Sequence, residues 1–133
     1  MDMDQALDGF LNTLLPDIGC ELDYSSSSLS ILEAWLLRRY ASLAEALVAT
    51  ESRVVDGAAR YVGEVLRNNL GASKWFIDFS DEKNAFYGLP QLKDLPGQVV
   101  QACPLTLVTT AIDRRTGSFL QKVYLNAENR ARI

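Results

Sequence analysis

The stretch from Glu51 to Asp78 constrains the fold most, because its apolar residues change their spacing partway along. In its first part they recur every three or four positions, at Val54, Val55, Ala58, Ala59, Val62, Val65, Leu66 and Leu70. This spacing gathers them on one face of an α-helix and predicts one unbroken helix over residues 53–70. Gly71 follows, and a glycine there can adopt the positive φ that ends many helices.

The run from Lys74 to Phe79 has a different period. Trp75, Ile77 and Phe79 fall on one side of an extended chain, and Lys74 and Asp78 fall on the other. This alternation predicts a strand with one face on the core and one face in water.

Two features inside the predicted helix need an explanation. Gly57 and Gly63 each cost about 1 kcal/mol relative to alanine in a helix interior. We expect close packing against another helix or strand to offset this cost, and close approach of a partner is the alternative. The arginines that recur every seven residues, Arg53, Arg60 and Arg67, are interleaved with carboxylates. We therefore expect a solvated, self-paired face there rather than a phosphate-binding row.

Helical spacing recurs on both sides of this stretch. It predicts helices over Asp4–Leu15, over residues 29–40, from about residue 43, and twice within residues 105–128, with Arg114–Gly117 between the last two. Ser30 and Glu33 have the spacing of a capping box at a helix start. For residues 105–128 a β-hairpin is the alternative, because Asp113–Gly117 would also suit a turn.

Further strands are predicted after the tryptophan strand. Ala85–Leu89 would complete a hairpin, Gln91–Gly97 reads as a loop, and Gln98–Cys103 would add a third strand. The 133 residues suit one domain. The predicted fold class is α+β: a single domain, residues 1–133, with about five or six helices packed on a small three-stranded antiparallel sheet formed around residues 74–103.

Composition excludes several kinds of chemistry. The chain has no histidine, so imidazole bases and histidine-ligated metals are excluded. It has neither GxGxxG nor GxxxxGK[ST], and Cys20 and Cys103 lack metal or redox spacing. We therefore expect no cofactor and no metal site, and a non-enzymatic role is favoured. Both cysteines are expected to be reduced, and a disulfide between them is the alternative.

Charge and hydropathy limit the partners and the compartment. The net charge of −4 argues against general nucleic-acid binding. No apolar run approaches the roughly 18–20 residues that span a bilayer. The start, Met1–Asp4, is acidic where a secretory signal is basic. We therefore expect a cytoplasmic protein without nucleic-acid or membrane partners.

The charge is unevenly distributed along the chain. Residues 1–50 contain eight carboxylates and two arginines (2 − 8 = −6), whereas residues 114–133 contain five basic residues and Glu128 alone (5 − 1 = +4). The two ends should attract each other if they meet. Alternatively, the acidic end recognises a basic partner.

The predicted hairpin is the candidate binding site. Aromatic and acidic residues gather there, which is typical of protein interfaces: Asp78, Asp81, Glu82, Phe86 and Tyr87. The alternatives are that the aromatic residues build the core face of the sheet, or that the carboxylates form a small hydrolase site. Arg114 and Arg115 are a candidate anion contact, for which a solvated turn is the alternative.

A short segment also resembles a known group of proteins. The run Ala59–Leu66, followed by Leu70-Gly71 and Lys74-Trp75, is similar to the core of small uncharacterised bacterial α+β proteins of the toxin-immunity type. The resemblance covers about 20 residues and includes no functional motif. It implies a non-enzymatic inhibitor that binds a co-produced toxin, with a basic toxin domain as the partner. A structural or assembly subunit, including a homodimer, is the remaining alternative.

Overall fold

Helices make up most of the described chain. The computed structural model describes residues 7, 9–12, 21–70, 74–77, 79, 80, 82, 83, 87–93 and 103–131. Residues 9–12 are helical, and the later helices are α1 (Ser28–Arg39), α2 (Leu43–Ala46), a 3₁₀ turn (Ala49–Glu51), α3 (Ser52–Leu70), α4 (Pro104–Arg114) and α5 (Phe119–Ala131). The strands are β1 (Lys74–Ile77) and β2 (Pro90–Lys93). Within the described residues, no helix is both long enough and apolar enough to cross a bilayer.

Helix α3 lies at the centre of the fold, and the prediction of one unbroken helix is confirmed. Its apolar face is buried, with Ala58, Tyr61 and Val65 fully enclosed. It packs most extensively along α4 and also contacts α5. The core is therefore built around the helix that the sequence pattern indicated most strongly.

The other helices close the core around α3. Leu32 and Leu36 of α1 join the same buried cluster as Ile112 of α4 and Leu120 of α5. In addition, Phe10 meets Trp35 edge-to-face, with ring centres 6.2 Å apart. Trp35 is buried, as its apolar surroundings in the sequence predict.

The C-terminal third is helical, so the prediction of two helices is confirmed and the hairpin alternative is wrong. Pro104 occupies the first turn of α4, where its missing N–H is not needed. Arg115 ends the helix in a left-handed conformation with φ 57°. The chain then turns into α5.

The sheet differs from the prediction. β1 pairs antiparallel with β2, and Trp75 lies opposite Leu92. Of the predicted second strand at 85–89, Tyr87 and Gly88 form a turn instead, and residues 85 and 86 lie outside the described residues. The partner strand begins at Pro90 and runs into the segment predicted as a loop. The polar Gln91 interrupts the apolar pattern that predicts a strand, yet its side chain is fully buried. Pro90 does not prevent the strand, because proline is tolerated at a strand's first residue.

The three-stranded sheet is not confirmed. Within the described residues the sheet has two strands, β1 and β2. Residues 98–102 of the predicted third strand lie outside the described residues. Cys103, its last residue, precedes α4 without strand structure.

The predicted core face of β1 is also only partly correct. Trp75 packs inward, but 45% of Ile77 and 66% of Phe79 is exposed. β1 ends at Ile77, so Phe79 lies beyond the strand that was predicted to include it. The alternation could not indicate where another element stops covering the predicted core side.

A buried carboxylate joins the first and last helices. Glu33 is fully buried, and its oxygens accept the N–H groups of Phe119 (3.2 Å) and Leu120 (2.8 Å) at the start of α5. The predicted capping box with Ser30 is therefore wrong, because α1 begins at Ser28, with Ser27 as its cap. Glu33 satisfies free N–H groups of a different helix.

The acidic and basic ends of the chain do meet at this junction. The guanidinium of Arg115 donates to the carbonyls of Leu37 and Tyr40, both at 2.9 Å, at the end of α1. Glu33 thus places a negative charge at the start of α5, and Arg115 places a positive charge at the end of α1. These are the signs that the helix dipole favours at each end.

Candidate partner-binding surface

Trp75 is fixed against α3 by the absence of a side chain at Gly63. A Cβ at residue 63 would overlap two carbons of the Trp75 six-membered ring and would lie 3.3 Å from Cγ of Pro104. This close approach is available only to glycine. The prediction that packing offsets the cost of Gly63 is therefore confirmed.

Glu64 binds the indole N–H of the same ring. Its Oε1 accepts the indole N–H of Trp75 at 3.0 Å and also receives Arg60 (3.0 Å) and Arg67 (2.9 Å). The Arg60 guanidinium lies 4.7 Å from the Trp75 ring centre, within range of a cation–π contact. We call Gly63, Glu64, Arg60 and Trp75 the tryptophan joint.

The arginine row on α3 is therefore self-paired at Arg60 and Arg67, as predicted. It is not solvated at its centre, since the side chains of Arg60 and Glu64 are only 11% and 13% exposed. Partial burial limits screening, so these pairs contribute more than a typical surface ion pair. The joint fixes the start of β1 to the helix.

Beyond the joint, the strand leads to exposed apolar side chains. Phe79 and Tyr87 meet edge-to-face with ring centres 5.7 Å apart and an interplanar angle of 90°. Ile77 and Tyr87 are exposed as well as Phe79. We call Ile77, Phe79 and Tyr87, together with the exposed Glu82 and Lys83, the hairpin surface.

A glycine turn brings the two rings of the hairpin surface together. Gly88 has φ 71°, a conformation that favours glycine. Cε1 of Phe79 lies 3.5 Å from where a Cβ of residue 88 would be. The turn at Tyr87–Gly88 therefore places Tyr87 beside Phe79.

The structure tests the positions of only some predicted site residues. Glu82 and Tyr87 are exposed on the hairpin surface. Asp78, Asp81 and Phe86 lie outside the described residues. Phe79 was missed, because the alternation assigned it to the core. The turn signal at Gly88, which returns the chain to Phe79, could have identified it.

Lysines lie at the other end of the two strands. Lys74 stands directly opposite Lys93, and both side chains are exposed. Nζ of Lys93 lies 5.6 Å from the centre of the Phe76 ring. These lysines therefore lie apart from the hairpin surface, whose own charged residues, Glu82 and Lys83, are of opposite sign.

The two predicted anion-contact residues have different surroundings. Arg115 donates to the carbonyls of Leu37 and Tyr40, as described above, and so completes the end of α1. Arg114 is exposed, and its guanidinium lies 5.3 Å from the Phe119 ring centre. An anion contact at either residue stays a prediction.

A second joint connects α1 to the start of α3. Oε1 of Glu51 accepts hydrogen bonds from Arg39 Nε and from the Tyr40 hydroxyl, both at 2.7 Å. The hydrogen bond from Arg39 lowers the pKa of Glu51. Burial, reinforced by the bond to Glu51, raises the pKa of Tyr40 to about 12.

The structure also bears on metal ligands and on the thiol of Cys103. Among the described residues, no group of three or more cysteines and carboxylates could hold a metal ion. Cys103 is a buried free thiol. Comparison of the whole chain with protein-family models, curated proteins and solved structures finds no match.

Proposed function

We propose that this protein is a non-enzymatic protein-binding module and that the hairpin surface contacts its partner. The observation that carries the proposal is the exposed pair of Phe79 and Tyr87, held edge-to-face beyond a strand that is fixed to the core. Large aromatic side chains supply much of the binding free energy at protein interfaces.

The tryptophan joint supports this function by preparing the surface before binding. β1 is anchored at Trp75 by the contacts with Gly63 and Glu64. Phe79 follows four positions later, so little chain remains to be ordered between the anchor and the ring. A surface that is already ordered loses less conformational entropy when it binds.

We propose neutralisation of a basic toxin domain as the specific form of this function. The net charge of −4 and the excess of carboxylates in residues 1–50 favour a basic partner. Glu21 and Asp23 are exposed carboxylates in that segment, and Glu82 is exposed on the hairpin surface. The resemblance to toxin-immunity proteins implies the same kind of partner.

Co-purification with the protein encoded by the adjacent gene tests the proposal. The affinity of the wild-type chain is compared with that of the Phe79→Ser/Tyr87→Ser double variant and of Glu82→Lys. Leu125→Ser is the matched control, because Leu125 is also an exposed apolar residue but lies on α5. We expect the double variant to bind at least about 30-fold more weakly, since interface aromatics often contribute 2 kcal/mol or more.

Two results would overturn the proposal. One is retention of the neighbouring protein by the double variant with wild-type affinity. The other is equal survival of cells that produce the neighbouring protein with and without this chain. Light scattering of the protein alone tests the homodimer, since a dimer that the double variant abolishes would assign the surface to self-association instead.

A further inference from the structure

A second exposed apolar site lies between α2 and α3, in the link that contains the 3₁₀ turn. Leu47 is 62% exposed and Val48 is 49% exposed, and they are adjacent in the chain. The exposed residues that follow, Ala49 and Thr50, are uncharged. Two neighbouring aliphatic side chains are therefore exposed in a link whose one charged residue, Glu51, is bonded to Arg39 and Tyr40.

The arginines whose side chains the structure describes fall into two groups. Those with an internal role are Arg39, which pairs with Glu51, Arg60 and Arg67, which pair with Glu64, and Arg115, which binds two carbonyls. The second group consists of Arg38, Arg53 and Arg114, all exposed. Among the described residues, none of these three lies within ion-pair distance of a carboxylate.

The second group gathers around the exposed link. Arg38 precedes Arg39, whose bond to Glu51 places the end of α1 beside the start of α3, where Arg53 lies. Arg114 precedes Arg115, whose bonds to the end of α1 bring the end of α4 to the same place. Helix α2, just before Leu47, packs on α4. We call Leu47, Val48, Arg38, Arg53 and Arg114 the link surface.

The described residues at this end carry a net positive charge in a protein that is acidic overall. Among them the five arginines 38, 39, 53, 114 and 115 outnumber the carboxylates Glu45, Glu51 and Asp113 (5 − 3 = +2). Asp56 follows one turn further along α3 and reduces the balance to +1. Moreover, Glu51 is occupied by Arg39 and Tyr40, and Glu45 accepts the N–H of Ala41. Arg38, Arg53 and Arg114, the last beside the Phe119 ring, thus carry positive charge that no described carboxylate pairs with.

We propose that the link surface binds an acidic segment of another protein, one that carries aliphatic side chains beside its carboxylates. Guanidinium groups bind carboxylates in two-point geometry, and arginine is enriched at protein interfaces. Leu47 and Val48 supply the apolar contact that would fix the position of such a segment. This proposal does not depend on the hairpin surface or on the charge of the partner proposed for the hairpin surface.

Two other occupants fit the surface less well. A second copy bound through the same patch would place the arginines of the two copies against each other, because a two-fold interface pairs a surface with itself. An anionic bilayer would receive only two aliphatic side chains, whereas even one myristoyl chain gives marginal membrane binding. Both occupants become outcomes of the test.

The test is a titration of the isotope-labelled full chain, monitored through the changes in its amide NMR chemical shifts. The probe is a short peptide composed of glutamate and leucine, and a peptide in which lysine replaces glutamate is its control. Vesicles of phosphatidylcholine with phosphatidylserine form a third arm. We expect saturable shifts at residues 38, 47, 48, 53 and 114 with the acidic peptide alone, and weaker binding as salt is added.

Matched variants make the test specific. Leu47→Ser is expected to weaken binding about tenfold through lost aliphatic burial, and Arg53→Glu about five- to tenfold at low salt. The controls are Leu125→Ser and Lys122→Glu, which alter an exposed leucine and an exposed cation on α5. Both controls should bind like wild type.

Three results would overturn the proposal. The first is the absence of localised shifts, and the second is equal binding by Leu47→Ser, Arg53→Glu and their controls. The third is binding to vesicles, or concentration-dependent self-association that Arg53→Glu strengthens, without binding to the acidic peptide. The last of these would assign the surface to a membrane or to a second copy.

Discussion

Trp75 and Phe79 lie four positions apart on the same side of one predicted strand, yet they have opposite surroundings. Trp75 lies against Gly63, donates to Glu64 and is covered by Arg60. Phe79 is 66% exposed, and its ring contacts Tyr87, which is itself exposed. The comparison separates the tryptophan joint, which secures the fold, from the hairpin surface, whose apolar side chains are exposed.

The difference arises from the helix rather than from the strand. Gly63 and Glu64 are adjacent on α3, so a ring that rests on the first can also bond to the second. For Phe79, the described contacts are with the Tyr87 ring and the Gly88 turn. An apolar residue in a strand is buried only where a second element reaches it.

Replacement of Trp75 should have the largest effect on stability. Trp75→Ala removes the ring that fills the space over Gly63 and leaves Glu64 and Arg60 without their aromatic partner. We expect the free energy of unfolding to fall by about 3 kcal/mol, at the lower end for tryptophan because Trp75 is only half-buried. Urea denaturation followed by circular dichroism measures this loss. A change below about 1 kcal/mol would mean that the joint does not hold the strand.

Substitution at Gly63 tests the same joint from the side of the helix. Gly63→Ala should lower stability by about 2 kcal/mol, because the new Cβ overlaps Trp75 and the ring must move. Gly9→Ala is the matched control, since nothing lies within 4 Å of a Cβ there and alanine favours a helix by up to about 1 kcal/mol. Thermal unfolding of both variants should shift in opposite directions. A gain in stability for Gly63→Ala would contradict the account.

Glu64 should matter less than Trp75 but more than an exposed acid. Glu64→Gln removes the charge that Arg60 and Arg67 share, and we expect a loss of about 1.5 kcal/mol. Glu82→Gln, on the hairpin surface, should change stability by less than about 0.5 kcal/mol. Chemical denaturation at low and high salt compares the two. Equal effects would remove the distinction between joint and surface.

The smallest expected effect concerns two tyrosines. Tyr40 is buried and bonded to Glu51, whereas Tyr87 is exposed. The pKa of Tyr40 is raised to about 12, so its contribution to stability is complete below pH 10 and is lost as pH rises from 10 towards 12. Tyr61, whose pKa is also raised by burial, adds to the same loss.

Tyr40→Phe should therefore reduce stability by about 1 kcal/mol at neutral pH and make its decline above pH 10 shallower. Tyr87→Phe should leave both the neutral value and the decline unchanged. Unfolding measured across pH 7–11 distinguishes the two variants. If the stability of Tyr40→Phe declined above pH 10 as steeply as that of the wild type, ionisation of Tyr40 would not be coupled to unfolding.

Sequence reasoning succeeded where one local pattern decided the structure. The long apolar period of α3 and the pairing of Arg60 and Arg67 are properties of a single helix, and both are confirmed. The helical spacing of residues 105–128 is likewise confirmed by α4 and α5. These features depend on residues that are close in the sequence.

Sequence reasoning failed where residues that are distant in the sequence determine the local structure. Glu33 looks like a local cap, but its partners lie at Phe119 and Leu120, which no spacing near residue 33 indicates. β2 was missed because Gln91, a polar residue, is buried within it. Phe79 was assigned to the core because alternation does not predict where α3 ends its contact. The predicted site residues therefore include Tyr87 but not Phe79, the ring that Tyr87 contacts.

The most direct test of the separation between joint and surface is the stability of the Phe79→Ser/Tyr87→Ser double variant, measured beside Trp75→Ala. If the hairpin surface is reserved for recognition, the double variant should unfold within about 1 kcal/mol of the wild type, because exposed aromatics contribute little to the core. A loss as large as that of Trp75→Ala would mean that Phe79 and Tyr87 belong to the core and that the surface proposed for binding does not exist.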